Sequence, residues 1–84
     1  MMIPTIHLNG TSRKSLLDAL SDAINAVYYA NRKLGEACPN GRDYYQQGMD
    51  AINIALIEHK ARVDMLLEVA QQLEAIAVAI GDTP

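Results

Sequence analysis

The sequence predicts an all-α protein, a single antiparallel helical hairpin over residues 1–84 that associates with copies of itself. Three observations lead there. Half of the residues are apolar, yet Phe and Trp are absent, and Ala, Leu and Ile supply most of that share, which favours helices over sheets. Two stretches repeat apolar residues in alternating steps of four and three, and a cluster of turn formers separates them. A chain of 84 residues makes one domain at most. A domain of that size buries only ~60% or slightly more of its unfolded surface, so its core is thin unless copies associate.

The first ten residues read as an extended segment ending in an Asn9-Gly10 turn. A short helix follows over about 12–34, with Thr11 or Ser12 as N-cap and Gly35 as the residue that closes it. Its seam is Arg13, Leu17, Leu20, Ile24, Val27, Asn31 and Leu34, flanked by a ridge of mostly small residues, Leu16, Ala19, Ala23, Ala26 and Ala30. The link "GEACPNGRD" holds Gly35, Pro39, Asn40 and Gly41, and Asp43 with Gln46 reads as a capping box. A long helix is therefore expected over about 43–80. Its seam runs through Tyr45, Met49, Ile52, Leu56, His59, Val63, Leu66, Ala70, Leu73, Ala77 and Ile80, a heptad pattern of about five repeats. Gly48 falls inside that helix, where it costs ~1 kcal/mol relative to Ala.

A short link sets Leu34 beside Asp43 and Thr11 or Ser12 beside residue 65. The last turns of the long helix, Leu66 to Ile80, then overhang by ~22 Å with no helix opposite. Two coverings are expected together. The N-terminal segment lays Ile3, Ile6 and Leu8 over the stripe, and further copies of the chain meet it through His59, Leu66, Val69, Leu73, Ile76 and Ile80.

Composition narrows the function. A net charge of −3 argues against duplex DNA and against an anionic membrane surface. The region from Leu66 to Ile80 is interrupted by Glu68, Gln71, Gln72 and Glu74, short of the ~20 apolar residues that span a bilayer. The single Cys38 has no internal disulfide partner, and "MMIPTIHLNG" lacks the charged and long apolar regions of a signal peptide, so a cytoplasmic location is expected. His7 and His59 are the only imidazoles, and no Cys, Ser or carboxylate stands at a spacing that calls for a His partner. No catalytic set, metal site or cofactor is expected.

Binding is better supported, at two places. Asn9, Gly10, Thr11 and Ser12 lead into a helix N-terminus, whose free N–H groups and positive dipole end favour an anion, and Arg13 and Lys14 add charge. The expected register brings His59, Lys60 and Arg62 to the same end. The bland alternative is a capped helix with solvated cations, some paired with Glu58 or Asp64. At the hairpin turn, Arg42 stands beside Tyr44 and Tyr45, with Arg32 and Lys33 on the facing last turn. Aromatic faces and guanidinium groups suit a stacked base and its phosphate, although tyrosines and cations also simply finish a hairpin end.

The opening "IPTIHLNGTS" and the turn "PNGRDYY" resemble short uncharacterised proteins of tailed phages and prophages, over most of the chain in order and spacing. The resemblance implies a phage origin and itself brings no activity. More loosely, an entry segment with an antiparallel helical hairpin is similar in architecture to the phage anti-CBASS and anti-Thoeris sponges, which oligomerise and sequester cyclic nucleotide signals; none of their binding motifs matches residue by residue. The leading expectation is a phage-encoded, non-catalytic oligomer that sequesters a small phosphorylated immune signal, with Asn9 to Arg13 on phosphate and Arg42, Tyr44 and Tyr45 on a base. The alternatives are an inhibitor or adaptor that docks a host or phage protein through its long apolar helix, and a small virion assembly protein.

Overall fold

A computed structural model describes residues 1–82 of the chain. Two helices, α1 (Arg13–Glu36) and α2 (Ala51–Gly81), make up most of it, and two one-turn 3₁₀ segments, Gly41–Asp43 and Tyr45–Gln47, lie between them. No strand is present among the described residues.

α1 begins where the sequence places it. Ser12 is extended, and its hydroxyl accepts a hydrogen bond from the Ser15 N–H at 3.1 Å, satisfying one of the donors that a helix start leaves open. The other end differs. Gly35 does not close the helix but lies in its last turn, and Ala37 ends it by donating its N–H to the Leu34 carbonyl at 3.0 Å. All seven seam residues are half-buried; of the rest of α1 only Leu16 is, so the alanine ridge is open to solvent.

α2 begins at Ala51, eight residues later than the capping box suggests. Asn40 rather than Asp43 supplies the cap, accepting from the Arg42 N–H at 3.0 Å to start a 3₁₀ turn. Gly48 then takes φ 117° and ψ 165°, a conformation essentially reserved for glycine and incompatible with a continuing helix. Gly48 therefore lies outside α2. Tyr45 and Met49 drop out of the long seam, and Met49 is 96% exposed.

The register is the main correction. The Tyr28 hydroxyl donates to the Glu74 carboxylate at 2.6 Å, whereas a short link would bring Tyr28 level with residue 49. Tyr28 lies near the C-terminal end of α1 and Glu74 near that of α2, so α2 starts roughly 22 Å beyond the end of α1 at 1.5 Å per residue. The connecting residues 37–50 span this slide by running on past the end of α1 alongside the overhang of α2: a Cβ added at Gly41 would lie 4.0 Å from the Ile52 side chain, and Pro39 shares a cleft with Arg62. The molecule is accordingly 61 Å long and about as thin as two helices, 20 by 17 Å.

The overhang is thus the N-terminal half of α2, and Leu66 to Ile80 is the half that α1 covers. Ala70 and Ile80 are fully buried, His59 is buried, and Val63, Leu66, Leu73 and Ala77 are half-buried, so the seam holds from His59 onward. The N-terminal segment does not lie over an overhang with all three of its apolar side chains: Ile6 is half-buried, whereas Ile3 is exposed and Leu8 is 98% exposed. A turn closed by the Gly10 N–H on the His7 carbonyl at 3.1 Å points Leu8 outward.

Candidate functional site

The two places picked out by the sequence lie at opposite ends of the molecule. At the head of α1, Asn9 and Gly10 form the turn, and the His7 ring packs so close to Gly10 that an added Cβ would stand 2.7 Å from Nε2. A larger residue there would have to push that exposed ring aside. Thr11 is exposed, Ser12 spends its hydroxyl on the cap, and Arg13 is half-buried. Lys14 pairs with Asp18 at 2.6 Å. The slid register moves His59, Lys60 and Arg62 away from this end, where they were expected; Lys60 pairs with Asp64 at 2.8 Å, and Arg62 with Glu58 at 3.5 Å. These ion pairs are exposed and contribute little to stability, but they lower the free positive charge.

The second place acquires a shape. The connector and the overhanging half of α2 enclose a cleft of 570 Å³. Pro39, Tyr44 and Gln47 line one wall, Ala51, Ile54, Ala55, Glu58 and Arg62 the other, and Gly48, Met49 and Asp50 close it. Of the residues expected here, Tyr44 is half-buried and lines the cleft. Arg42 and Tyr45 are exposed and are not part of its lining. Arg32 and Lys33 do not reach across from α1; both lie over the Tyr29 ring, 5.0 and 5.8 Å from its centroid.

Gln47, Asp50, Ile54, Glu58 and Arg62 are the site residues that sequence reasoning missed. Their spacing on α2 is ordinary helical spacing and carries no signal. The signal that was available is Gly48: once it ends the 3₁₀ turn instead of sitting inside a helix, residues 37–50 become a connector long enough to reach the displaced start of α2. The cleft lining holds two carboxylates, Asp50 and Glu58, against one guanidinium, Arg62. Its walls are otherwise mostly apolar, and a volume of several hundred Å³ is the size that takes a small ligand or the side chains of a docked segment.

Among the described residues one titratable group is shifted. Tyr28 is raised above the ordinary tyrosine range, because its hydroxyl donates to Glu74 and a phenolate there would face a carboxylate. Among the described residues no group of three or more His, Cys, Asp or Glu is placed to hold a metal ion. No described helix is long and apolar enough to cross a membrane.

Fold and site together define a slender helical hairpin with a lateral cleft at its overhanging end. No protein-family model, no curated protein and no solved structure matches this chain.

Proposed function

We propose that this chain is a non-catalytic protein-interaction module, an adaptor or inhibitor that docks a partner along the overhanging half of α2. The observation that carries this reading is the exposure of large apolar side chains where α2 has outrun α1: Ile57 is 71% exposed, Ile54 is exposed one turn before it and lines the cleft, and exposed Met49 lines the cleft as well. Contiguous apolar surface of this kind marks an interface, and a helix face next to a groove suits a helix-in-groove contact. The phage origin implied by the two motifs belongs to the same proposal, as does association with further copies of the chain.

A tagged form expressed in the natural host is expected to hold a partner that Ile57→Asp releases and Arg13→Ala retains. Retention by Ile57→Asp would place the working surface elsewhere.

A second reading, sequestration of a small phosphorylated ligand, is favoured by one observation: Tyr44 and Arg62 face the same cleft, which is large enough for a nucleotide. It differs from the sequence expectation in using Arg62 rather than Arg42, and Asp50 and Glu58 oppose it. Calorimetry against cyclic di- and trinucleotides and cyclic ADP-ribose variants decides it. Heat that vanishes with both Tyr44→Ala and Arg62→Ala supports the ligand, and no heat from any of them removes it.

A further inference from the structure

We propose that the cleft side of α2 seats a second copy of this chain, the two α2 overhangs packing antiparallel about a two-fold axis at the level of Lys60. The proposal rests on the reading of the overhang as a docking surface, and it assigns the cleft to side chains of the second copy rather than to a nucleotide.

Ala51, Ala55, Glu58, Arg62, Met65 and Val69 follow one another along α2 in steps of four and three. At 3.6 residues per turn they fall within an arc of about 80°, so they form a second seam, roughly 75° round the helix from the one that meets α1. The first four line the cleft, Ala51 and Ala55 as its shallowest positions on α2. The last two are large and apolar: Met65 is 64% exposed and Val69 46%.

This seam mirrors itself. Counted from residue 60, Ala51 and Val69 stand nine positions away on either side, Ala55 and Met65 five, and Glu58 and Arg62 two. A two-fold axis perpendicular to a helix brings residues at equal and opposite heights together, and each such pair occurs twice. Met65 and Val69 of one copy therefore lie over Ala55 and Ala51 of the other, large side chains over small ones at the mouth of the cleft. Glu58 lies level with Arg62 of the other copy.

Within one chain those two charges pair at 3.5 Å, with both side chains more than half exposed. Across the axis the same groups form a cluster of two carboxylates and two guanidiniums that is balanced in charge. Matching in both size and charge about a single level is what a second copy requires of this face, and what an unrelated partner does not. Ile57 stands about 120° round α2 from the seam, so the dimer leaves it free.

Native mass measurement of the full chain is expected to give twice 9.2 kDa. Glu58→Arg chains, positive at both central positions, and Arg62→Glu chains, negative at both, are each expected to give the monomer mass, and an equimolar mixture of the two to recover the dimer. In a Cys38→Ser background, Ala55→Cys chains mixed with Met65→Cys chains are expected to cross-link on oxidation well above either variant alone, whose thiols stand about 15 Å apart along the helices. Ile57→Asp is expected to leave the dimer intact. A monomeric wild type, a higher oligomer, a charge-swapped mixture that stays monomeric, cross-linking as strong for one variant alone, or a dimer lost in Ile57→Asp would each overturn the proposal. A partner held in the natural host and released by Ile57→Asp reports on the docking face by itself, so the two readings fail separately.

Discussion

At the residue scale, two polar side chains show how little this hairpin has to spare. Asn31 lies on the α1 seam, and its Oδ1 is buried with no hydrogen-bond partner. An unsatisfied buried acceptor costs about 1–3 kcal/mol, so Asn31→Leu is expected to raise stability by roughly 1–2 kcal/mol in urea titration, unless the asparagine fixes register, in which case the variant gains stability but loses a single oligomeric state. Tyr28 acts in the opposite sense. Its proton is held more tightly in the folded chain than in the unfolded one, so its contribution is full below the ordinary tyrosine range and is lost as the pH climbs through its raised value. Unfolding followed against pH is expected to show the wild type weakening above about pH 10 and Tyr28→Phe weakening less over the same interval.

At the element scale, Gly48 separates two accounts of where α2 begins. Inside a helix, Gly48→Ala would stabilise the chain by ~1 kcal/mol. In the observed conformation, φ 117° and ψ 165°, alanine is strained and the same substitution destabilises by about 1–3 kcal/mol. The sign, read from a chemical denaturation midpoint, tells which holds. At the head of α1, Ser12→Ala removes the side-chain acceptor for Ser15 and is expected to cost about 1 kcal/mol. Thr11→Ala, with no such bond, is expected to cost less. The two hydroxyls look alike in the sequence, and only the extended backbone at Ser12 distinguishes them.

At the scale of the whole molecule, the slide of α2 along α1 governs which surfaces are free. It turns Leu66 to Ile80 from an exposed stripe into a partly covered one: of the residues expected to meet further copies, His59 and Ile80 are buried, Leu66, Leu73 and Ile76 are half-buried, and Val69 is exposed. It also separates the cations of α2 from the N-terminal motif, so that Asn9 to Arg13 keep a capped helix start but lose the company that favoured an anion. If further copies of the chain associate, folding and association are one event. The melting temperature is then expected to rise by several degrees over a hundredfold increase in protein concentration, whereas that of a monomer stays flat.

The all-helical class, the helix at residues 13–36 and the lower half of the long seam were legible in the chain, because each follows from local periodicity and from the side chain at Ser12. Tyr44 was legible as an aromatic at the turn between the helices, and the structure puts it in the lining of the cleft. The start of α2, the register, the cleft with its Arg62 and Glu58, and the dispersal of the expected anion pocket were decided by the tertiary structure. A heptad repeat is satisfied equally by any slide of whole turns. The choice among slides falls to the backbone at Gly48 and to the single bond between Tyr28 and Glu74, neither of which periodicity records.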